Sequence, residues 1–440
     1  MNKQKWIEIA AEKGLSAFEI YQELSSERNV TWYAGQMDTF VTSRVLGTAL
    51  RGIYEGKMAN LALEKAEEED AEKLIDQLIE QAKTVSTKET DTLRAPEEVT
   101  PLPEKKLVQP TMDEIACALK TIEEKAKNYD ERILQVSRLS WSEESSRREI
   151  TNSLGMDVAD ETRTQVLMLG LAASANGEVK VDYNLKVVPN LAELDVDAFV
   201  KESCDGAIEK LGATSLPSKM YNTIIERKAM TSLFAAFSGM FSGDLIFKGI
   251  SPLKDSLGEE IFSEKITIID DPASDLSIQP VSFDDEGCPT RRKVLVEKGV
   301  FKEMLQTTKS AARFGKDSTG NGFKRGYASA VAVSPMNCYI APGEKSLDEL
   351  QEEMGEGVVI TSLQGLHAGI NPVTTDFSLQ CSGYYVKDGK KDHSVSLITI
   401  AGNLIKMLKN VKAVGSDLDF EYRSIATPSI YVGEAAISGE

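Results

Sequence analysis

The segment AFEIYQELSSERNVTWYAGQMDTFVTSRVLGTALRGIYEGKMANLAL, Ala17 to Leu63, decides the fold of the N-terminal half. Phe18, Ile20, Val30, Trp32, Phe40, Val41, Val45 and Leu46 fall in short segments. These segments are broken at Gly35-Gln36, Gly47 and Gly56-Lys57. β-branched and aromatic residues between glycine turns predict an antiparallel sheet. A helix is expected on each side of it. Residues 2–13 place Trp6, Ile7, Ile9 and Ala10 together and stop at Gly14, while Leu61 to Thr84 carries the stripe Ala71, Leu74, Ile75, Leu78, Ile79 and Ala82. The acidic run Glu67 to Asp70 reads as a solvated helix face.

The same order recurs downstream. Ser86 to Thr111, with Pro96, Pro101, Pro103 and Pro110, reads as an extended linker. A helix then starts near Asp113, alternating segments run from Ile133 to Tyr183 with turns at Gly155 and Asn176-Gly177, and a helix covers Val196 to Leu211. Ser25 to Arg28 resembles Ser145 to Arg148, and Glu55-Gly56-Lys57 resembles Asn176-Gly177-Glu178, which suggests a duplicated unit. Beyond Leu216-Pro217-Ser218, Thr231 to Phe241 is the most apolar stretch and predicts a buried helix. Short strands and Asp/Gly turns follow, with Val331, Val333 and Val358 to Ile360 as strand residues and a last helix near Ile400 to Val411. The fold class expected is α+β. A helix-and-antiparallel-sheet half comprises units 1–112 and 113–219, and a β-rich C-terminal half spans 220–440.

Composition narrows the chemistry. The 440 residues hold 50 Lys plus Arg against 69 Asp plus Glu, a net charge of −19, which disfavours direct binding to nucleic acid or to anionic lipid. No stretch of about 18 apolar residues occurs, so no membrane span is expected. The first residues meet charge too soon for a secretory signal. Five scattered cysteines without a CxxC point to a reducing compartment, the cytoplasm. His367 and His393 are the only histidines, too few and too far apart for a two-His zinc helix. Ser251-Pro252-Leu253-Lys254 matches SxxK without the companion motifs of serine acyl-enzymes. Asp270-Asp271 and Asp284-Asp285-Glu286 read as turn acids, with a carboxylate-held cation and a metal hydrolase as the remote alternative.

Six segments in order carry a resemblance: Asp270-Asp271-Pro272, Phe283 to Thr290, Ser318 to Gly322, Gly369 to Ser378, Ser382-Gly383-Tyr384 and Thr399 to Leu404. Ala49-Leu50-Arg51-Gly52 and Glu55-Gly56 extend it into the N-terminal half. Together they resemble the TldD/PmbA family, historically called modulators of DNA gyrase. The resemblance implies two branches: a zinc metallopeptidase with an HExxxH helix, and a PmbA-like (TldE-like) branch that lacks the motif and pairs with the first. Gly243-Asp244 followed by Lys248-Gly249-Ile250-Ser251 matches the segment that ends the metal helix. Counting back puts Phe234 and Gly239 at the two histidines, Ala235 at the glutamate, and Val414 at the third ligand before Gly415.

None of these four side chains can bind zinc or activate water. The chain is therefore expected to have no catalytic and no metal-binding residue of its own, and zinc is expected only in a partner. What the resemblance implies is a non-catalytic subunit of a cytoplasmic metallopeptidase acting on unfolded or short peptides. Its partner would be a zinc-bearing TldD-like paralogue. The alternative is a stand-alone homodimeric binding or regulatory protein. Asn321 and Asn337 are the candidates for polar contacts in a peptide cleft, against a plain turn role for each.

Overall fold

The computed structural model describes residues 1–440 except Lys88, Pro103, Glu104, Ile278 and Tyr422. Pro103, one of the prolines of the expected linker, thus lies outside the described residues. The first unit runs α1 (Lys3–Glu12), β1 (Ala17–Tyr33), β2 (Gln36–Tyr54), β3 (Lys57–Leu63) and α2 (Ala71–Thr84). The second runs α3 (Met112–Lys127), β4 (Ile133–Asn152), β5 (Asp157–Ala175), β6 (Glu178–Val187) and α4 (Val196–Ile208). The six strands form one antiparallel sheet in the order β3-β2-β1-β4-β5-β6. Both units therefore share a sheet, joined where β1 pairs with β4.

That pairing sets Ser25 opposite Ser146 and makes the two units related by an approximate two-fold axis there. An offset of 121 residues maps the buried Phe18, Ile20 and Leu50 onto the buried Leu139, Trp141 and Leu171. It also maps the left-handed turn Glu55-Gly56 (φ 48° and 75°) onto Asn176-Gly177 (φ 51° and 81°). The turn likeness in the sequence has this offset. The likeness of Ser25–Arg28 to Ser145–Arg148 is one residue out, because Ser25 corresponds to Ser146.

Three local expectations need correction. Gly47 does not break a strand: it pairs with Glu23 inside β2, and a Cβ there would meet the Tyr327 ring at 2.1–2.5 Å. Leu61 and Leu63 belong to β3, so the helix begins only at Ala71, after a 3-10 turn over Glu68–Asp70. The acidic run is solvent-facing as expected but precedes that helix, in the 3-10 turn, where the Glu68 carboxylate accepts the Asn2 backbone N–H at 2.8 Å at the start of α1.

Strand alternation assigns the two faces. Phe18, Ile20 and Leu50 pack with Trp6, Ile75 and Leu78 of α1 and α2. Val30 and Trp32, on the same face of β1, pack with Ile115, Leu119 and Phe199 of α3 and α4. All four helices thus lie on one face. Helix α3 opens with a capping box in which Thr111 and Glu114 satisfy each other's backbone N–H groups. Its Glu123 holds the β1–β2 turn, accepting from Trp32 Nε1 at 2.8 Å and Gly35 N at 2.9 Å.

The C-terminal body covers the other face at one end only, where Tyr21, Ala49, Ile150 and Met156 meet Phe283. It is built on a seven-stranded sheet in which β7 (Lys219–Ile225) lies between Gly357–Gln364 and Ile430–Ser438, continuing through Lys390–Asn403 and Asp376–Lys387. The last helix is shorter than expected, Leu404–Lys409, because Lys390–Asn403 remains strand. No described helix is long and apolar enough to cross a membrane.

The Gly47 contact is testable. Gly47→Ala should cost about 1–3 kcal/mol, the usual penalty of overpacking, because its methyl group displaces the Tyr327 ring. Adding Tyr327→Ala should recover much of that loss in a denaturant-melt double-mutant cycle. Strictly additive losses would show that the two sites do not touch.

Candidate functional site

Directly after β7, α5 (Arg227–Phe237) forms because Glu226 caps it, its carboxylate accepting the Lys228 N–H. Its inward residues Met230, Leu233, Phe234 and Phe237 are all 2% exposed or less. The Phe234 ring sits 6.4 Å from that of Phe241, which in turn lies 5.9 Å from Phe301. Ala235 is half-buried against the same core. Gly239 falls in the 3-10 turn Ser238–Phe241, where a Cβ would find Leu245 at 3.5 Å. Val414 lies in the strand pair Ala413–Val414 with Ile430 and Tyr431, and its carbonyl closes on Gly343. Phe234 and Val414 share one hydrophobic cluster. A zinc ion needs nitrogen, sulfur or oxygen donors; an aromatic ring, two aliphatic side chains and a glycine offer none. The four positions do not fit the metal. Among the described residues no three His, Cys, Asp or Glu side chains gather to share one.

Asn321 and Asn337 are both buried, at 0% and 3% exposure. The Asn321 amide donates to Asp270 at 3.0 Å and to the Ser334 carbonyl at 3.0 Å, while its oxygen accepts from Thr319 at 2.8 Å. The Asn337 amide donates to the Pro272 and Gln279 carbonyls at 3.0 and 3.1 Å, and its φ of 52° is a left-handed turn. Their polar atoms hold loops around Asp270, whose carboxylate also faces the wholly buried Lys293 at 3.7 Å. The SxxK serine is likewise structural: the Ser251 hydroxyl donates to the Met240 carbonyl and accepts the Leu253 N–H.

The seam between the two bodies is marked in the sequence only by its turn acids. Asp284, Asp285 and Glu286 are all buried there. Asp285 accepts from Tyr21 at 3.1 Å, Arg148 at 2.8 Å and the Lys324 N–H at 2.7 Å. The Arg148 guanidinium also lies over the Phe283 ring at 4.7 Å. Lys324 Nζ stands 4.0 Å over the Tyr21 ring. Burial and the Arg51 guanidinium pull its ammonium down to about 8. Behind Tyr21, the buried Glu19 accepts from Arg51 Nε at 2.7 Å.

A groove of about 400 Å³ runs between Leu102 with residues 105–108, β5 residues 160–163 and Gln279-Pro280. It continues past Leu107 and Arg163 into a second of about 270 Å³ over Ser26, Arg28 and Glu143. Its floor is the part of β5 before Val166, where pairing with β6 begins. Its walls are fixed by Gln165 donating to the Val108 carbonyl at 3.2 Å and Lys105 donating to the Asp275 carbonyl at 2.8 Å.

Comparison with known proteins agrees with this architecture. Residues 218–439 match the PmbA/TldA metallopeptidase C-terminal domain, 105–211 its central domain and 18–82 its domain 1. The chain is 28% identical over 319 residues to the metalloprotease PmbA of Escherichia coli O157:H7, covering 72% of this chain and 68% of that one. It is 29% identical to an uncharacterized protein of Methanocaldococcus jannaschii over 99% of both chains. Among solved structures, TldE from Thermococcus kodakarensis superposes with a TM-score of 0.90 at 25% identity, over 99% of this chain and 100% of that one. A Thermotoga maritima protein described as a proposed modulator of a DNA gyrase gives 0.87 at 27% identity, over 99% of each.

The acids of the seam should leave a pH signature. Burial and the neighbouring Glu286 carboxylate raise Asp284 to about 7, although the Gly322, Glu286 and Cys288 N–H groups pull it down; a free Asp titrates near 3.9. The folded state therefore holds a proton that the unfolded chain releases. The stability this contributes is complete below about pH 4 and is lost as pH rises through about 7. Glu286→Gln should lower Asp284 and shrink that loss by about 1.4 kcal/mol for each pKa unit removed. Urea melts from pH 4.5 to 8 would read it; parallel pH profiles for the two proteins would sink the account.

Proposed function

The chain belongs to the PmbA/TldD metallopeptidase family, and from that premise we propose that it is a metal-free subunit of a TldD/PmbA-type peptidase acting on unfolded or short peptides. The observation that carries the reading is Phe234. At the first of the positions aligned with metal ligands, a wholly buried aromatic ring packs against Phe241. Ala235, Gly239 and Val414 complete a set without a donor.

The zinc and the water it activates then belong to a TldD-like relative in complex with this chain. This chain's own contribution is to bind and orient. The groove along β5 offers about 400 Å³ followed by about 270 Å³, a size and shape suited to an extended peptide. Free strand-edge amides at its floor can hold a peptide backbone regardless of sequence. Holding the peptide in one geometry lowers the barrier to its cleavage without a reactive group on this chain. The cytoplasm suits five cysteines that are all unpaired.

Purified chain should hold no stoichiometric zinc and cleave no peptide. Mixed with a zinc-bearing relative, it should co-elute and raise cleavage of an unfolded peptide above that of the relative alone. The triple change Phe234→His, Ala235→Glu, Gly239→His should yield no peptidase, since Val414 supplies no third ligand. It should instead lose stability, at about 1–3 kcal/mol for each buried polar group left unpaired. Metal analysis, size-exclusion chromatography and a cleavage assay with each chain omitted in turn test the reading. A relative that is fully active alone and never co-elutes would replace it with the homodimeric binding protein.

A further inference from the structure

Strand register carries a polar trio into the apolar core of the C-terminal body. Its smaller sheet holds the strand Ile268–Asp270 between Lys293–Glu297 and Cys338–Ile340. Asp270 pairs with Lys293 on one side and with Cys338 on the other. The neighbours Ile268, Leu295, Cys338 and Ile340 all belong to one hydrophobic cluster. Within it Lys293 and Asp270 are 1% and 0% exposed. The turn that carries Asn321 closes over the pair. Lys293 Nζ donates to the Thr319 carbonyl at 3.0 Å, and the Asn321 amide nitrogen donates to Asp270 Oδ2 at 3.0 Å. The same Oδ2 lies 3.7 Å from Lys293 Nζ. One carboxyl oxygen therefore borders both an amine and a carboxamide nitrogen.

An ammonium has three N–H donors to satisfy. Among the described residues, the Thr319 carbonyl is the one acceptor within hydrogen-bond distance of Lys293 Nζ. A charge so poorly served in a dry core is costly. Burial pushes Lys293 below its usual range and Asp270 above its own, each against the pull of the other. Both shifts favour a neutral amine, with its lone pair free, beside a carboxylic acid. That is a desolvated nucleophile next to a proton relay. The carboxamide is prepared as well. The Thr319 hydroxyl accepts the Gln306 N–H at 2.7 Å and donates to Asn321 Oδ1 at 2.8 Å. This draws electrons from Cγ and stands ready to hold the oxygen as it becomes negative.

We propose that Lys293 and Asn321 join in an isopeptide bond, which the folded chain forms on itself with Asp270 as the relay. Lys293 Nζ leaves the Thr319 carbonyl and attacks Cγ of Asn321. The Nζ–Cγ bond forms and the Cγ–Nδ2 bond breaks. One proton passes from Nζ through the Asp270 carboxyl to Nδ2, which departs as ammonia. No oxidant, metal or second substrate enters. The fold holds all three groups together, so the reaction is intramolecular. The product ties the sheet to the turn after it, in a chain whose cysteines are all unpaired. Like a disulfide, it would restrict the unfolded chain between its two ends.

Mass spectrometry of the purified full chain tests the bond. The wild type should be lighter than its sequence mass by one ammonia. Trypsin should release a branched peptide that joins residues 293–298 to 317–324, because a linked Lys293 is no longer cut. Asp270→Asn should have its full sequence mass and give 294–298 and 317–324 as separate peptides. Asn321 precedes Gly322, and a cyclic imide at that step would lose the same ammonia. The imide would leave 317–324 linear and would persist in Lys293→Met, whereas the isopeptide bond cannot. A wild type of full mass, with Lys293 cut by trypsin, would overturn the proposal. A lighter chain whose Asn321 peptide is linear would do the same. Both readings come from the wild type, so neither depends on a variant that folds. Branching that persists undiminished in Asp270→Asn would overturn the relay.

Discussion

The pairing of β1 with β4 organises the N-terminal half. It runs unbroken from Glu19–Asn152 to Trp32–Leu139 and fuses two three-stranded units into one sheet. Once Ser25 lies opposite Ser146, alternation along β1 sends Phe18, Ile20, Val30 and Trp32 to one face and Tyr21 to the other. Both helix pairs must then cover the same side. The far side remains for the C-terminal body, which takes one end of it. Strands β3 and β6 are also too short to flank the full length of β2 and β5, so among the described strands β2 before Thr48 and β5 before Val166 have one neighbour each.

The seam with the C-terminal body is held by charge as much as by apolar contact. Asp285 gathers Tyr21, Arg148 and the Lys324 backbone from three parts of the chain. Arg51 and Glu19 form a second buried pair behind it. Such pairs contribute little net stability, yet removing one member leaves an uncompensated charge. They fix how the two bodies meet more than they tighten the meeting, and the β5 groove depends on that placement, since Gln279-Pro280 forms one of its walls.

Much of this was legible in the sequence, and the failures have physical causes. Helices α1, α3 and α4 were marked by apolar periodicity, and Glu55-Gly56 and Asn176-Gly177 by a left-handed turn. Gly47 misled because a glycine in a strand can mark a turn or a close approach, and its neighbour Tyr327 lies 280 residues away. Leu61 and Leu63 suit a helix stripe and a strand face equally, and only pairing with Leu50 and Thr48 decides between them. Asp285 does sit in a turn as expected, but its partner Tyr21 is 264 positions distant, so its place in the seam had no local sign. The positions Phe234, Ala235, Gly239 and Val414 were found through family likeness, not periodicity, which reports only a buried helix. The groove along β5 had no local signature, since it arises from three segments that meet only in the folded chain.

The duplicated sheet also has a history in time. Residues of β1 wait for partners 107 to 133 positions later in the chain, 121 for Ser25. At synthesis rates of about 5–20 residues per second, Ser25 leaves the ribosome roughly 6–24 s before Ser146. During that interval the first unit can close its own small core around Trp6, Ile20 and Leu78. Its strand β1, however, presents a bare side to everything around it. The nascent chain thus has its greatest opportunity to pair with the wrong strand while it is only a third made.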